Sequence, residues 1–152
     1  MKTIEQAEFT NMCMIYDEKG NVLVQNRVKS WCGYAFPGGH LERRESIVDS
    51  VIREVKEETG LTVSNLQLCG VKQAFSKDGV RYIVFLYKTN CFEGQLISND
   101  EGEHFWMPLD ILLENKDKMA NNFEYMLEVF TKDNLSEHYH LRSENEAVDL
   151  VK

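Results

Sequence analysis

The chain has 152 residues, 43% hydrophobic and 28% charged, which suits one soluble globular unit with its own core. No apolar run approaches the roughly 20 residues a bilayer demands, and the opening MKTIEQAEFT holds no signal-like apolar segment, so a cytoplasmic protein without a membrane partner is expected. A net charge of −8 and a pI near 5.0 argue against long nucleic acid as a partner, though not against a phosphorylated small molecule whose charge a bound cation offsets.

In chain order, residues 11–16 read as a short apolar strand, 17–21 as a turn and 22–28 as a returning strand, together a hairpin. Residues 30–39 read as loop and short strand, ending in Phe36-Pro37-Gly38-Gly39. Residues 46–59 predict a helix. Ser46 caps its start, Asp49 suits the dipole, and Gly60 suits a left-handed end. Val48, Val51, Ile52 and Val55 fall within one arc that must face a core.

Residues 66–75 and 80–91 predict two long strands in a hairpin around 76–79. A short strand at 103–107 and a turn of helix at 108–113 follow. Residues 120–130 carry Phe123, Met126, Leu127 and Phe130 at helical spacing and predict a second full helix. From 131 onward the chain is polar and acidic, and a partly ordered tail is expected over 132–152. Without repeats or linkers, 1–152 reads as a single α/β domain with its core at about 10–131, its sheet packed between helices. Cys13, Cys32, Cys69 and Cys91 form no CxxC pair and predict buried reduced thiols.

Glu54, Glu57 and Glu58 stand at i, i+3 and i+4, so their carboxylates crowd one helix face. Oxygen donors at this density suit Mg²⁺ or Mn²⁺ rather than zinc. A solvated acidic stripe would account equally for the three glutamates alone. The wider pattern adds more. Gly39, Glu45, Arg53, Glu54, Val55, Glu57, Glu58, Gly60 and Leu61 fill every specified position of G-x5-E-x7-R-E-U-x-E-E-x-G-U, where U is aliphatic. With residue frequencies near one in fifteen, a chance match in this chain is on the order of 10⁻⁷.

This stretch resembles the Nudix box. The resemblance implies an α/β/α sandwich with a mixed sheet between helices. It also implies an Mg²⁺-dependent hydrolase (Mn²⁺ as substitute) that directs water at a nucleoside diphosphate linkage. Glu54, Glu57 and Glu58 would then bind metal, with the carbonyl of Gly38 as a further ligand. Glu54 would also serve as the base, although a metal ligand and a base are hard to separate without kinetics. Arg53 would orient a box glutamate. Glu45 would fix the loop-to-helix junction or act through water. Gly38 and Gly39 would let backbone approach metal and phosphate, unless they merely serve a turn. Glu101 resembles the metal-binding acid that many relatives carry beyond the box, with Glu103 second and an ordinary polar loop as the alternative.

Tyr34-Ala35-Phe36-Pro37-Gly38-Gly39-His40 is similar to the MutT branch, which clears oxidised nucleoside triphosphates such as 8-oxo-dGTP. On that likeness Arg27, Phe36 and Asn121 would meet the nucleotide, although Asn121 equally suits a helix cap. Trp31 and Tyr34 suit stacking or packing. The expected reaction converts a (d)NTP to the monophosphate and pyrophosphate. Other leaving groups, as in ADP-ribose, NADH or dinucleoside polyphosphates, are the alternative. A non-catalytic ligand-sensing domain of the same fold is the reading from another class, but such domains lose box carboxylates and this box keeps all of them. Many relatives dimerise, so a homodimer is compatible.

Overall fold

The strand that the sequence marks as apolar lies at the centre of the fold. β1 (Ala7–Ile15) sends Met12 and Met14 into one core and Cys13 and Ile15 into another. A strand buried on both faces belongs inside a sheet. In a computed structural model, which describes residues 1–152, it runs parallel to β7 (Arg81–Thr89) and antiparallel to β4 (Gly38–His40). β6 (Gln67–Phe75) joins β7 as the expected hairpin. With β10 (Glu137–Arg142) and β11 (Ala147–Val151), the six-stranded mixed sheet has the order β11-β10-β6-β7-β1-β4.

Helices cover both faces. α1 (Ile47–Thr59) buries Val51 and Val55 with Cys13 and Ile15, whereas α3 (Phe123–Thr131) buries Phe123, Met126 and Phe130 with Met12 and Leu86. This is the expected α/β/α arrangement. A second sheet of β3 (Gly33–Ala35), β2 (Asn21–Arg27) and β9 (Gly102–Pro108) has the order β3-β2-β9. β5 (Leu61–Ser64) pairs with β8 (Cys91–Gly94), and α2 (Leu109–Glu114) follows β9. No helix is long and apolar enough to cross a membrane.

Several expectations are corrected. Residues 11–16 and 22–28 do not form a hairpin ladder, because β1 and β2 lie in different sheets and pair only through the Tyr16–Val22 bridge. Both edges of β1 are taken by β7 and β4, so β2 turns away to β9 and β3. The supposedly half-ordered tail supplies two strands of the large sheet. Its inward positions are mostly polar, with His138 fully buried against Asp149 and only Val151 packing on the core, which hid the strands from a hydropathy reading. In α1, Val48 is 41% exposed, and Ile47 packs on that core instead. Of the four free cysteines, only Cys13 is fully buried and Cys32 is exposed.

Candidate active site

Local rules fix the rotation and ends of α1. The Ser46 hydroxyl accepts the Asp49 N–H at 3.0 Å, and Gly60 ends the helix at φ 80°. With Val51 and Val55 turned inward, Glu54, Glu57 and Glu58 emerge on the side of α1 beside β4. Gly38 and Gly39 lie on β4 in extended backbone, so they answer a demand for space rather than for turn geometry. A Cβ at Gly39 would overlap the Glu54 carboxyl, and one at Gly38 would overlap the Asn11 carbonyl.

Arg53 organises the acidic face. Its Nε and Nη2 donate to the two Glu45 oxygens, each at 2.8 Å, the fork-on-carboxylate geometry that only arginine provides. Nη1 donates to Glu54 Oε1 at 2.9 Å and to Glu57 Oε2 at 3.3 Å, while Nη2 also reaches the His40 carbonyl at 2.9 Å. One guanidinium therefore joins the loop, β4 and two box glutamates. The hydrogen bonds from Arg53 and from the Glu42 N–H hold Glu45 down at about 2. Asn11, which the sequence reading passed over, adds a second tie. Its amide donates to the Ser50 hydroxyl at 2.9 Å and its carbonyl oxygen accepts the Gly39 N–H at 3.3 Å, linking β1, α1 and β4.

The three glutamates differ in environment. Glu57 is largely exposed, with 59% of its side chain accessible. Burial outweighs the Arg53 hydrogen bond and holds Glu54 above the ordinary carboxylate value. Glu58 is buried and its Oε2 accepts only the Gly38 N–H, at 3.1 Å. Burial first, and then the charges of Glu54 and Glu101, push it up to about 8. A buried carboxylate with one donor, next to two more carboxylates, fits a divalent cation that would supply the missing positive charge.

This environment has a consequence for stability. Glu58 has an ordinary value of 4.5 and a folded value of about 8, so the folded, metal-free protein binds this proton more tightly than the unfolded chain does. That contribution is complete below 4.5 and is lost as pH rises through about 8. The metal-free thermal midpoint is expected to fall over this window. Glu58→Gln should flatten the fall, and Mg²⁺ should restore more stability at the alkaline end in the wild type than in the variant. An identical slope in Glu58→Gln would contradict the assignment.

Beside the acidic face lies a cavity of about 380 Å³, with Gly38 and Gly39 at its edge. Phe36 is wholly buried in its wall, edge-on to Phe123 and Phe130. Arg27 also lines it, donating to the Ser30 carbonyl at 3.1 Å with its guanidinium 5.7 Å from the Trp31 ring. Lys72 and Tyr82 lie in the same wall, and the sequence reading named neither. The available signal was a lone lysine alternating with Gly70 and Ala74 along one face of β6.

Asn121 does not line this cavity. It is exposed, its backbone carbonyl accepts the Trp31 indole N–H at 2.8 Å, and the capping position of α3 belongs to Asn122 at φ 67°. Glu101 is exposed, but its charge is felt at Glu58. Glu103 is exposed on β9, opposite Asn26.

Comparison with known proteins agrees with this geometry. The family pattern of the NUDIX domain matches residues 10–130. The chain is 35% identical over 99 residues to the uncharacterised Nudix hydrolase YvcI of Bacillus subtilis, covering 62% of this chain and 61% of that one. It is 44% identical over 48 residues to YtkD of the same organism, named as a candidate 8-oxo-dGTP diphosphatase, covering 32% of this chain and 30% of that one. The chain thus spans less than two thirds of each of these relatives. The crystal structure of a MutT protein from Bacillus halodurans superposes with a TM-score of 0.80 at 26% identity, covering 95% of this chain and 97% of that one.

Proposed function

The chain belongs to the NUDIX domain family, and from that premise we propose that it is a MutT-like nucleotide pyrophosphohydrolase, cutting (d)NTP to (d)NMP and pyrophosphate with 8-oxo-dGTP as the leading substrate. The observation that carries the reading is the junction of the Glu54/Glu57/Glu58 face with the Gly38–Gly39 edge of an aromatic-walled cavity. Such a junction accepts a base on one side and its phosphates on the other.

Glu54, Glu57 and Glu58, with the Gly38 carbonyl and Glu101, would hold Mg²⁺ or Mn²⁺, which when bound neutralises phosphate charge and lowers the pKa of water. The chain's own residues do the rest. Glu54 accepts the proton from the attacking water as its oxygen bonds to phosphorus and the bond to the departing pyrophosphate breaks. Arg53 holds Glu54 and Glu57 in place and is itself locked by Glu45. Trp31 offers an apolar wall to a base, with Phe36 buried behind the cavity surface as its support, and Arg27 and Lys72 offer donors to the base's carbonyl oxygens or to phosphate. Asn121 meets the cavity only through its backbone carbonyl, which holds the Trp31 indole N–H.

The experiment is a substrate panel with Mg²⁺: 8-oxo-dGTP, dGTP, the other (d)NTPs, ADP-ribose, NADH and a dinucleoside polyphosphate. The highest kcat/KM is expected on 8-oxo-dGTP, with pyrophosphate as product. Hydrolysis of ADP-ribose with every triphosphate untouched would overturn the substrate assignment while leaving the chemistry in place.

A further inference from the structure

The C-terminal strands gather three ligand-type side chains that the proposed reaction does not use. His138 and His140 are two apart on β10, so both imidazoles leave the same face of the sheet. Antiparallel pairing puts Asp149 of β11 directly opposite His140. One oxygen, Asp149 Oδ1, lies 2.7 Å from His138 Nε2 and 2.8 Å from His140 Nδ1. The three donor atoms lie within 4.8 Å of one another. We propose that His138, His140 and Asp149 form a second cation site, selective for a borderline divalent ion of the Zn²⁺ type and distinct from the oxygen-only face of α1.

The donor set gives the selectivity. Two imidazole nitrogens and one carboxylate oxygen suit Zn²⁺ and its transition-metal neighbours, whereas Mg²⁺ prefers oxygen throughout. A strand with alternate histidines, facing a carboxylate fixed by cross-strand register, holds such donors on rigid backbone. Hydrogen bonding alone explains the cluster poorly. The side chain of His138 is completely inaccessible, and its Nδ1 has no hydrogen-bond partner in the protein. An apolar residue would fill that space without the cost of an unsatisfied polar atom.

The site also has an entrance. The side chains of His140 and Asp149 are 17% and 11% accessible, and His140 lines an open groove with Asn121, Asn122 and Arg142. An ion could arrive from that groove, with water completing its shell. Its placement matters for the rest of the molecule. His138 is the register partner of Lys72, whose side chain lines the nucleotide-sized cavity. An ion here would tie β10 to β11 next to the strand that walls that cavity, and the site would stand whichever nucleotide the cavity takes.

The test uses the full chain after chelator treatment, in excess Mg²⁺ to fill the carboxylate face, with Cys32→Ser as background to remove the exposed thiol. Zn²⁺ is titrated by equilibrium dialysis, and Co²⁺ by its visible absorption, which reports nitrogen-containing four-coordinate sites. One tight equivalent of Zn²⁺ is expected, together with a raised thermal midpoint. His140→Ala and Asp149→Asn should each weaken binding by at least about 100-fold, since even supporting residues cost 10- to 100-fold. Both should keep Mg²⁺-dependent turnover, which shows that they fold. Equal Zn²⁺ uptake by wild type and both variants, or no uptake by the wild type, would overturn the proposal.

Discussion

Glu54→Gln is expected to lower kcat by about 10³-fold while the protein stays folded, the scale at which a lost general base and ligand charge are felt. Glutamine keeps the size of the side chain and an oxygen for the Arg53 Nη1 contact, which is 2.9 Å in the wild type. It cannot take the proton from water, and it removes one negative charge from the acidic face. Glu57→Gln separates the two roles. Glu57 is exposed and touches Arg53 only at 3.3 Å, so its loss should appear mainly as a higher Mg²⁺ requirement that added Mg²⁺ partly rescues. Steady-state kinetics across an Mg²⁺ titration distinguish the cases. Full turnover by Glu54→Gln would remove it from the chemistry, and an unchanged Mg²⁺ requirement in Glu57→Gln would remove Glu57 from the ligand set.

The second large effect separates two adjacent glycines. Gly39→Ala should cost about 10²-fold in kcat with a stability change of only about 1 kcal/mol. The new methyl group overlaps the end of the Glu54 side chain, which can swing aside and so leave its productive position. Gly38→Ala should do the reverse in origin, unfolding the protein more readily by roughly 2–4 kcal/mol. Its methyl group meets the backbone of β1 at Asn11, which cannot move without parting β1 from β4. Urea unfolding and kinetics on both variants provide the check. A stable, fully active Gly39→Ala would mean that Glu54 is not held against β4.

The contrast between these glycines shows where the sequence was legible. The box is a local pattern, and its glutamates and Arg53 come together because a helix places i, i+3 and i+4 side by side. The β6–β7 hairpin was equally local. What escaped depends on partners far along the chain. Thr10 meets Val84, and Val71 meets Glu137, pairings that no window of alternating residues can reveal. β5 and β8 are four residues each, too short to show a period. The C-terminal strands escaped because polar His138, His140 and Asp149 occupy most of their inward positions, with Val151 the apolar exception. The residues expected to meet a nucleotide divide in the same way. Phe36 and Arg27 line one cavity, Asn121 lies outside it, and Lys72 enters it only through the fold of β6.

Pyrophosphate release from a nucleoside triphosphate in H₂¹⁸O, with Mg²⁺ and again with excess chelator, tests the central assignment most directly. The expected result is pyrophosphate, one ¹⁸O atom incorporated into the products, and turnover abolished by the chelator and by Glu54→Gln. Turnover that survives both, or no cleavage of any nucleoside diphosphate derivative at saturating Mg²⁺, would contradict it.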